Sequence, residues 1–364
     1  MPWTPTIPDL TSLPAWSLLQ WVAGLLLLIG GAELLVRAAV GLAAGWGVRP
    51  LIIGLTLIGL CSSAPQLTVS LQAVFSETPD IAVGSVLGST VFNLLVTLGL
   101  AALLTPLRVS RPVVRLDIPM MIGAAALVFG LAIDQRLGRL DGFILMAGLA
   151  LYMALVWRQS RYHARPCPKT PVPTEHPWGR GLGLLVVGVA LLAAGGRVLL
   201  DAALELALDY GLSDRIIGLT IVAIGASMPE LATSLIAARR GQRDLAVGNV
   251  IGSSLFNLLG VLGLTAVLAP GPLSISPNAL DFDLPVMLAV AALCWPLFYA
   301  GYRIGRLKGL VMLGLYLAYG VHVLAFATGL PLAGQVQHLM LYYVLPPLGL
   351  VLAVQTLRAW RRQR

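Results

Sequence analysis

Charge is scarce in this chain. Only 11% of its 364 residues are Asp, Glu, Lys or Arg, against about 25% in soluble globular domains. Hydrophobic residues make up 58%, and the mean hydropathy is +0.87. That balance excludes a water-soluble globular fold and predicts an integral membrane protein. Cysteine is nearly absent. Cys61, Cys167 and Cys294 lie far apart and form no CxxC pair, which argues against a disulfide framework or a thiolate metal site; all three are expected to be reduced. The four histidines, His163, His176, His322 and His338, are isolated, and none has ligand spacing. No HExxH or comparable nucleophile-and-base motif occurs, so no enzyme is expected. The first seventeen residues carry no Lys or Arg, unlike a cleaved secretory leader. The net charge of +8 is scattered through short loops and the terminal "RAWRRQR", a pattern of membrane orientation rather than nucleic-acid binding. The expected partners are small cations and the lipid bilayer, with no nucleic acid and no obligate protein partner.

What is abundant is long apolar runs. A bilayer crossing takes about 20 apolar residues, and charged, Pro-rich and Gly-rich breaks divide the chain into eleven such helices. Their expected limits are 18–44, 51–75, 80–104, 115–133, 139–157, 181–208, 215–238, 244–268, 281–300, 306–327 and 339–357. The fold class is therefore an all-α polytopic membrane protein. Residues 1–17 read as an extracytoplasmic tail, 18–157 as one five-helix unit and 158–180 as a Pro-rich cytoplasmic linker. Residues 181–328 form a second five-helix unit, and 329–364 an extra helix with a basic tail. Alternate loops hold Arg108, Arg111 and Arg115, then Arg158, Arg161, Arg165 and Lys169, then Arg239, Arg240 and Arg243, then Arg303, Arg306 and Lys308. By the positive-inside rule that side is the cytoplasm, with the N-terminus outside and the C-terminus inside. A bacterial inner membrane is the expected location.

The two units are copies. A shift of 164 residues aligns "GLTLIGLCSSAPQLTVSLQAVFSETPDIAVGSVLGSTVFNLL" from Gly54 with "GLTIVAIGASMPELATSLIAARRGQRDLAVGNVIGSSLFNLL" from Gly218, without a gap and with about half of the positions identical. "RLGRLDG" from Arg136 matches "RIGRLKG" from Arg303 at a slightly larger offset, so each copy covers five helices. An odd number of helices per copy predicts inverted halves, the architecture of secondary transporters with ion sites at the midplane.

Within the copies, Pro65 and Pro229 each lack an N–H. Each leaves the carbonyl four residues earlier, at Cys61 and Gly225, without its helix partner. Such breaks are tolerated in a membrane where they lie inside protein or line a cavity. Around them cluster Ser62, Ser63, Gln66, Ser227 and Glu230. These are oxygen donors, the chemistry that hard cations such as Na⁺ and Ca²⁺ prefer. Glu230 stands out, because a carboxylate in the middle of a membrane helix costs roughly 2.5–3.5 kcal/mol even on lenient scales. Its partner by repeat is neutral Gln66.

These segments resemble the paired alpha repeats of the cation/calcium exchanger superfamily, the sodium/calcium exchanger membrane-region family, and especially its compact prokaryotic members. The resemblance rests on "ASMPEL" with "DLAVGNVIGSSLFN" and covers helices one to ten. It implies antiport of Ca²⁺ against Na⁺ or H⁺ by alternating access, with no cofactor beyond the transported ions. By position it assigns Glu230 as the acidic ligand of the second copy, Gln66 as its neutral counterpart, and Ser63 and Ser227 as hydroxyl ligands. Ser89, Asn93, Ser253 and Asn257 match polar positions that close the site, and Gly59 and Ala223 match backbone-carbonyl positions. The chain departs from the family at Gln66 and Asn257, where acids are found, and at Ser85, where Asn is usual. Ala226 has no hydroxyl. A monovalent cation/proton antiporter and a degenerate, non-transporting relative are the alternatives this leaves open.

Several residues have plainer readings. Gln66 is either a neutral ligand or a packing amide. Asn93 and Asn257 are either ligands or interhelical hydrogen bonders, and "GSVLG" and "GNVIG" suit close helix packing. Glu33 with Arg37, and Arg197 with Asp201, are spaced to neutralise each other along one helix face. Asp80 and Asp244 are expected to cap helix N-termini.

Overall fold

The computed structural model describes residues 15–46, 50–76, 78–162, 178–209, 217–299, 301–327 and 334–335. The expected eleventh helix, most of the N-terminal tail and most of the linker lie outside the described residues. The rest is almost wholly helical. We number the spans α1 (Ala15–Trp46), α2 (Leu51–Phe75), α3 (Pro79–Leu104), α4 (Val113–Asp134), α5 (Arg139–Tyr162), α6 (Trp178–Asp209), α7 (217–239), α8 (Arg243–Leu268), α9 (Ala279–Tyr299) and α10 (Arg306–Ala327). Nine of these are long and apolar enough to cross a membrane unaided, and α7 makes ten if its two bent pieces are one span. The limits fall within about five residues of those expected from the sequence.

Polarity decides which spans sit at the centre. In α3 and α8, 83% of the apolar window is buried inside the protein, against 44% or less in the other seven spans that qualify unaided. Their sequences, "PDIAVGSVLGSTVF" and "RDLAVGNVIGSSL", put small or polar residues on every face. They have no stripe suited to lipid, so protein surrounds them.

The glycines set the approach distances. A Cβ on Gly252 of α8 would lie 2.6 Å from the Leu55 carbonyl oxygen, and one on Gly59 of α2 would lie 2.9 Å from the Gly252 backbone. Only glycine lets α2 and α8 lie this close. Among the described residues, α2 before its break packs on α8, and α7 before its break packs on α3, so each copy's broken helix lies against the other copy's central helix.

Short strands tie the ends. β1 (Leu107–Arg108) pairs antiparallel with β4 (Arg303–Ile304), and β2 (Arg136–Leu137) pairs antiparallel with β3 (Leu273–Ser274). Each sheet takes one strand from each copy, and exchanging the copies turns one sheet into the other. The helix ladder also slips to wider π-type turns at Gly54–Ile58 and Ile217–Val222, at Asn93–Thr97 and Phe256–Val261, and at Val113–Asp117 and Ala279–Asp283. All three pairs occupy equivalent places.

Two local expectations need correction. Asp80 and Asp244 are not N-caps. The N-cap residues are Thr78 and Gln242, neither making a side-chain cap bond, and the aspartates sit in the first turn where they face the positive helix end. Asp80 instead accepts a 2.6 Å hydrogen bond from Ser274 Oγ. The charge pairs of the first and sixth spans do form. Arg37 Nη2 lies 2.9 Å from Glu33 Oε1 and Arg197 Nε lies 3.9 Å from Asp201 Oδ2, while Arg240, just after α7, also bonds Glu33.

Candidate functional site

Pro65 and Pro229 shape both halves of the site. Each occupies the first turn of a new helix segment, Ala64–Phe75 and Met228–Arg239, and the chain turns just before it at Ser63 and Ser227. In α7 the two pieces meet at 44°. Gln66 and Glu230 therefore sit one residue beyond the proline, and both are fully buried.

Their surroundings differ. The Gln66 amide is held at both ends: Nε2 donates to Ser85 Oγ at 2.9 Å, and Oε1 accepts from Ser89 Oγ at 2.8 Å. Ser89 Oγ also reaches the Ala223 carbonyl oxygen at 3.0 Å, and Ser227 Oγ reaches that same oxygen at 3.0 Å. Thus Gln66, Ser85, Ser89, Ala223 and Ser227 form one chain of bonds from α2 through α3 to the α7 break. Glu230 has no such partners. Both of its carboxylate oxygens are buried without a hydrogen bond among the described residues.

A second network lies across the centre. Ser62 Oγ is 2.9 Å from Ser253 Oγ, and also donates to the Gly59 carbonyl oxygen and to Asn249 Oδ1 at 3.3 Å each. Asn249 Nδ2 donates to Ser234 Oγ at 2.8 Å and to the Glu230 backbone carbonyl at 3.2 Å. Asn249 is thus the hub that fixes the turn of backbone carrying Glu230.

The other candidates are buried polar groups with capacity to spare. Among the described residues, Ser63 Oγ, Asn93 Nδ2 and both amide atoms of Asn257 have no hydrogen-bond partner, and Asn93 Oδ1 accepts a long bond from Thr97 at 3.4 Å. Thr233 Oγ1 and Ser70 Oγ are in the same condition. Buried polar atoms are normally satisfied, and an exception calls for a ligand or a functional role. The segment with Asn93 packs against Met228–Arg239, and the segment with Asn257 packs against Ala64–Phe75. Each asparagine therefore comes from one copy toward the broken helix of the other. The donors are carboxylate, amide, hydroxyl and carbonyl oxygens, which is the ligand chemistry of hard cations.

Sequence reasoning missed some participants. Asn249, buried and central, lies inside "GNVIG", which reads as a packing motif; its place one helical turn before Ser253 was the available signal. Ser234 and Thr233 were missed as well. Further out, Tyr152 Oη donates to the buried Asp117 at 3.2 Å, and Tyr319 Oη donates to Asp283 at 3.0 Å. These equivalent pairs could have been found from the shared D-x-P at 117–119 and 283–285.

Comparison with known proteins places this architecture. The model of the family described as sodium/calcium exchanger protein matches residues 16–158 and 180–325, which takes in both copies. The chain is 39% identical over 290 residues to the inner membrane protein YrbG of Escherichia coli, covering 75% of this chain and 87% of that one. It is 28% identical over 334 residues to the sodium/calcium exchanger MaX1 of Methanosarcina acetivorans, covering 81% and 95%. Among solved structures, the sodium-calcium exchanger NCX_Mj superposes with a TM-score of 0.72 at 26% identity, covering 86% of this chain and 98% of that one. The paired broken helices, the two copies and the matched length agree: the chain belongs to the sodium/calcium exchanger family of the cation/calcium exchanger superfamily.

Proposed function

We propose that the protein is a secondary active antiporter that exchanges Ca²⁺ against Na⁺ or H⁺. Alternating access would operate at a midplane site between two inverted five-helix repeats, with the N-terminus outside and the C-terminus in the cytoplasm. The observation that carries this reading is Glu230, a buried carboxylate with both oxygens free of protein partners among the described residues, held one residue past the proline that follows a break in a spanning helix. A membrane protein bears the cost of such a group where it does work on ions. Ser63, Asn93, Asn257 and the carbonyls of Gly59 and Ala223 would complete the oxygen set, with Ser62, Ser89, Ser227 and Ser253 changing partners as the site opens and closes.

One observation favours a second reading. Gln66 is neutral and its amide is held at both ends by Ser85 and Ser89, so the cluster carries one formal negative charge. That charge balances Na⁺ or H⁺ and leaves Ca²⁺ with positive charge uncompensated in a low-dielectric site. This is a monovalent cation/proton antiporter.

Flux in proteoliposomes separates the two, with Ca²⁺, Na⁺, K⁺ and pH gradients imposed one at a time. Ca²⁺ uptake driven by an outward Na⁺ or H⁺ gradient is the expected result; Na⁺/H⁺ exchange indifferent to Ca²⁺ supports the second reading. In either case Glu230→Gln should reduce flux to background while the purified variant keeps its helical content and detergent stability. Unchanged flux in that variant would remove Glu230 from the site.

A further inference from the structure

The two ends of the molecule are built alike, and one of them carries a basic cavity. It has a volume of about 290 Å³ and is lined by Arg108, Gly241, Gln242, Arg243 and Asp244. It lies where β1, just beyond the end of α3, meets the turn from α7 into α8. We propose that this cavity binds the phosphate of an anionic lipid headgroup.

The first argument is unspent charge. Arg240, two residues before the cavity's Gln242, is satisfied by Glu33. Among the described residues neither Arg108 nor Arg243 has an ion pair, and Arg243 Nε is buried without a partner. The lining holds two guanidiniums against one carboxylate, Asp244, so it remains net positive. The second argument is register. Arg108 stands directly opposite Arg303 in the β1–β4 pair, and like charges so placed destabilise a strand pair. An anion beside them removes that penalty. The third is direction. The cavity lies at the start of α8, whose N-cap makes no side-chain bond, so its first N–H groups and the positive dipole end face an incoming anion.

The opposite end is an internal control. There Pro79 takes the place of Arg243, Ser274 that of Arg108, and Asp80 that of Asp244. Ser274 closes directly onto Asp80 at 2.6 Å, and neither position that answers Arg108 or Arg243 is cationic; Arg136 stands opposite a serine there, where Arg303 stands opposite Arg108. The duplicated fold does not itself require the arginines. They occur at one end, at the limit of the spans where headgroups lie, and planar guanidiniums suit bidentate contacts to phosphate. Basic pockets between spanning helices are a recognised form of headgroup site. Arg108 follows α3 and Arg243 begins α8, so a phosphate between them would link the two central helices that carry Asn93 and Asn257. Lipid composition would then set how readily those helices move, whichever cation is exchanged.

The test uses the full-length protein in nanodiscs of phosphatidylcholine, with or without phosphatidylglycerol, read by thermal unfolding and by mass spectrometry of retained lipid. Phosphatidylglycerol should be retained and should raise Tm by a few degrees, as any ligand selective for the folded state does. Both effects should vanish in Arg108→Gln/Arg243→Gln and persist in Arg158→Gln, which removes an exposed arginine outside the cavity. If the double variant does not fold, Gln242→Glu adds a carboxylate at a half-buried lining position without removing an arginine, and should abolish retention. Undiminished retention in either cavity variant overturns the site. An equal Tm rise from inorganic phosphate in phosphatidylcholine discs overturns the lipid assignment and makes the occupant a soluble anion.

Discussion

Gln66 and Glu230 stand at equivalent positions after equivalent prolines, yet the side-chain amide of one is held at both ends and, among the described residues, the carboxylate oxygens of the other have no hydrogen-bond partner. Both hydroxyls that hold Gln66, those of Ser85 and Ser89, can act as donors. Ser89 already donates to position 66, and Ser85, whose proton now goes to the Ala82 carbonyl oxygen at 3.0 Å, can turn it to a carboxylate there instead, so Gln66→Glu should fold. It would add a second charged oxygen ligand of the kind Ca²⁺ favours. Calcium affinity by calorimetry, parent and variant in one detergent, should rise on the order of tenfold, which is what about 1.4 kcal/mol of added binding energy produces. A folded variant with unchanged affinity would make Gln66 a packing amide. Asn249 offers the complementary test. It bonds Ser62, Ser234 and the Glu230 carbonyl, so Asn249→Ala strands several buried groups and should cost roughly 1–3 kcal/mol of stability per group left unpaired. Loss of flux with Tm unchanged would mean that Asn249 touches the ion instead of bracing Glu230. Glu230, the prolines and the serines were legible in the sequence because an acid or a break in an apolar run is conspicuous. The hub role of Asn249 was not. A sequence gives a polar residue's position on its helix but not which partner from 187 residues away, Ser62 in this case, will meet it.

At the scale of elements, the ten described spans were readable because bilayer thickness fixes their length and the chain marks their ends with charge, Pro and Gly. The π-type turns were not readable. They depend on which carbonyl a given N–H can reach once neighbouring helices press on it, and such turns gather at functional sites. Here they include Asn93 and fall beside Gly59 and Ala223, so local widening of the helix belongs to the same region as the candidate ligands. The close crossing of α2 and α8 gives this packing a measurable consequence. A methyl at Gly252 would lie 2.6 Å from the Leu55 carbonyl oxygen, whereas one at Gly314 of α10 meets nothing within 4 Å. Gly252→Ala should lower stability by about 1–3 kcal/mol, the usual range for overpacking, and Gly314→Ala should leave it nearly unchanged. Equal melting temperatures for the two variants would show that α2 and α8 are not held at this distance.

For the whole molecule, the open matter is which way each end faces. The two interlocking sheets, each with one strand from each copy, mark opposite ends of the helix bundle if α9 crosses the membrane once between β3 and β4. The β1–β4 end gathers Arg108, Arg111, Arg303 and Arg306, while at the β2–β3 end Arg136 and Arg139 are accompanied by Asp134 and Asp141. The positive-inside rule then places the β1–β4 end in the cytoplasm. Gly305, just after β4, and Gly271, just before β3, both have open space where a Cβ would go. They accept a reporter without strain, and only α9 separates them from each other apart from the strands and short turns. In a chain whose native cysteines are replaced by alanine, Gly305→Cys should react with a membrane-impermeant thiol reagent only in inside-out vesicles. Gly271→Cys should react only in right-side-out vesicles. If both respond from one face, α9 does not cross, and five helices per copy, on which the inversion of the two halves depends, is the wrong number. If they respond from opposite faces but with the sides exchanged, the inversion stands and the orientation reverses, which would also put the arginine cavity on the outer leaflet.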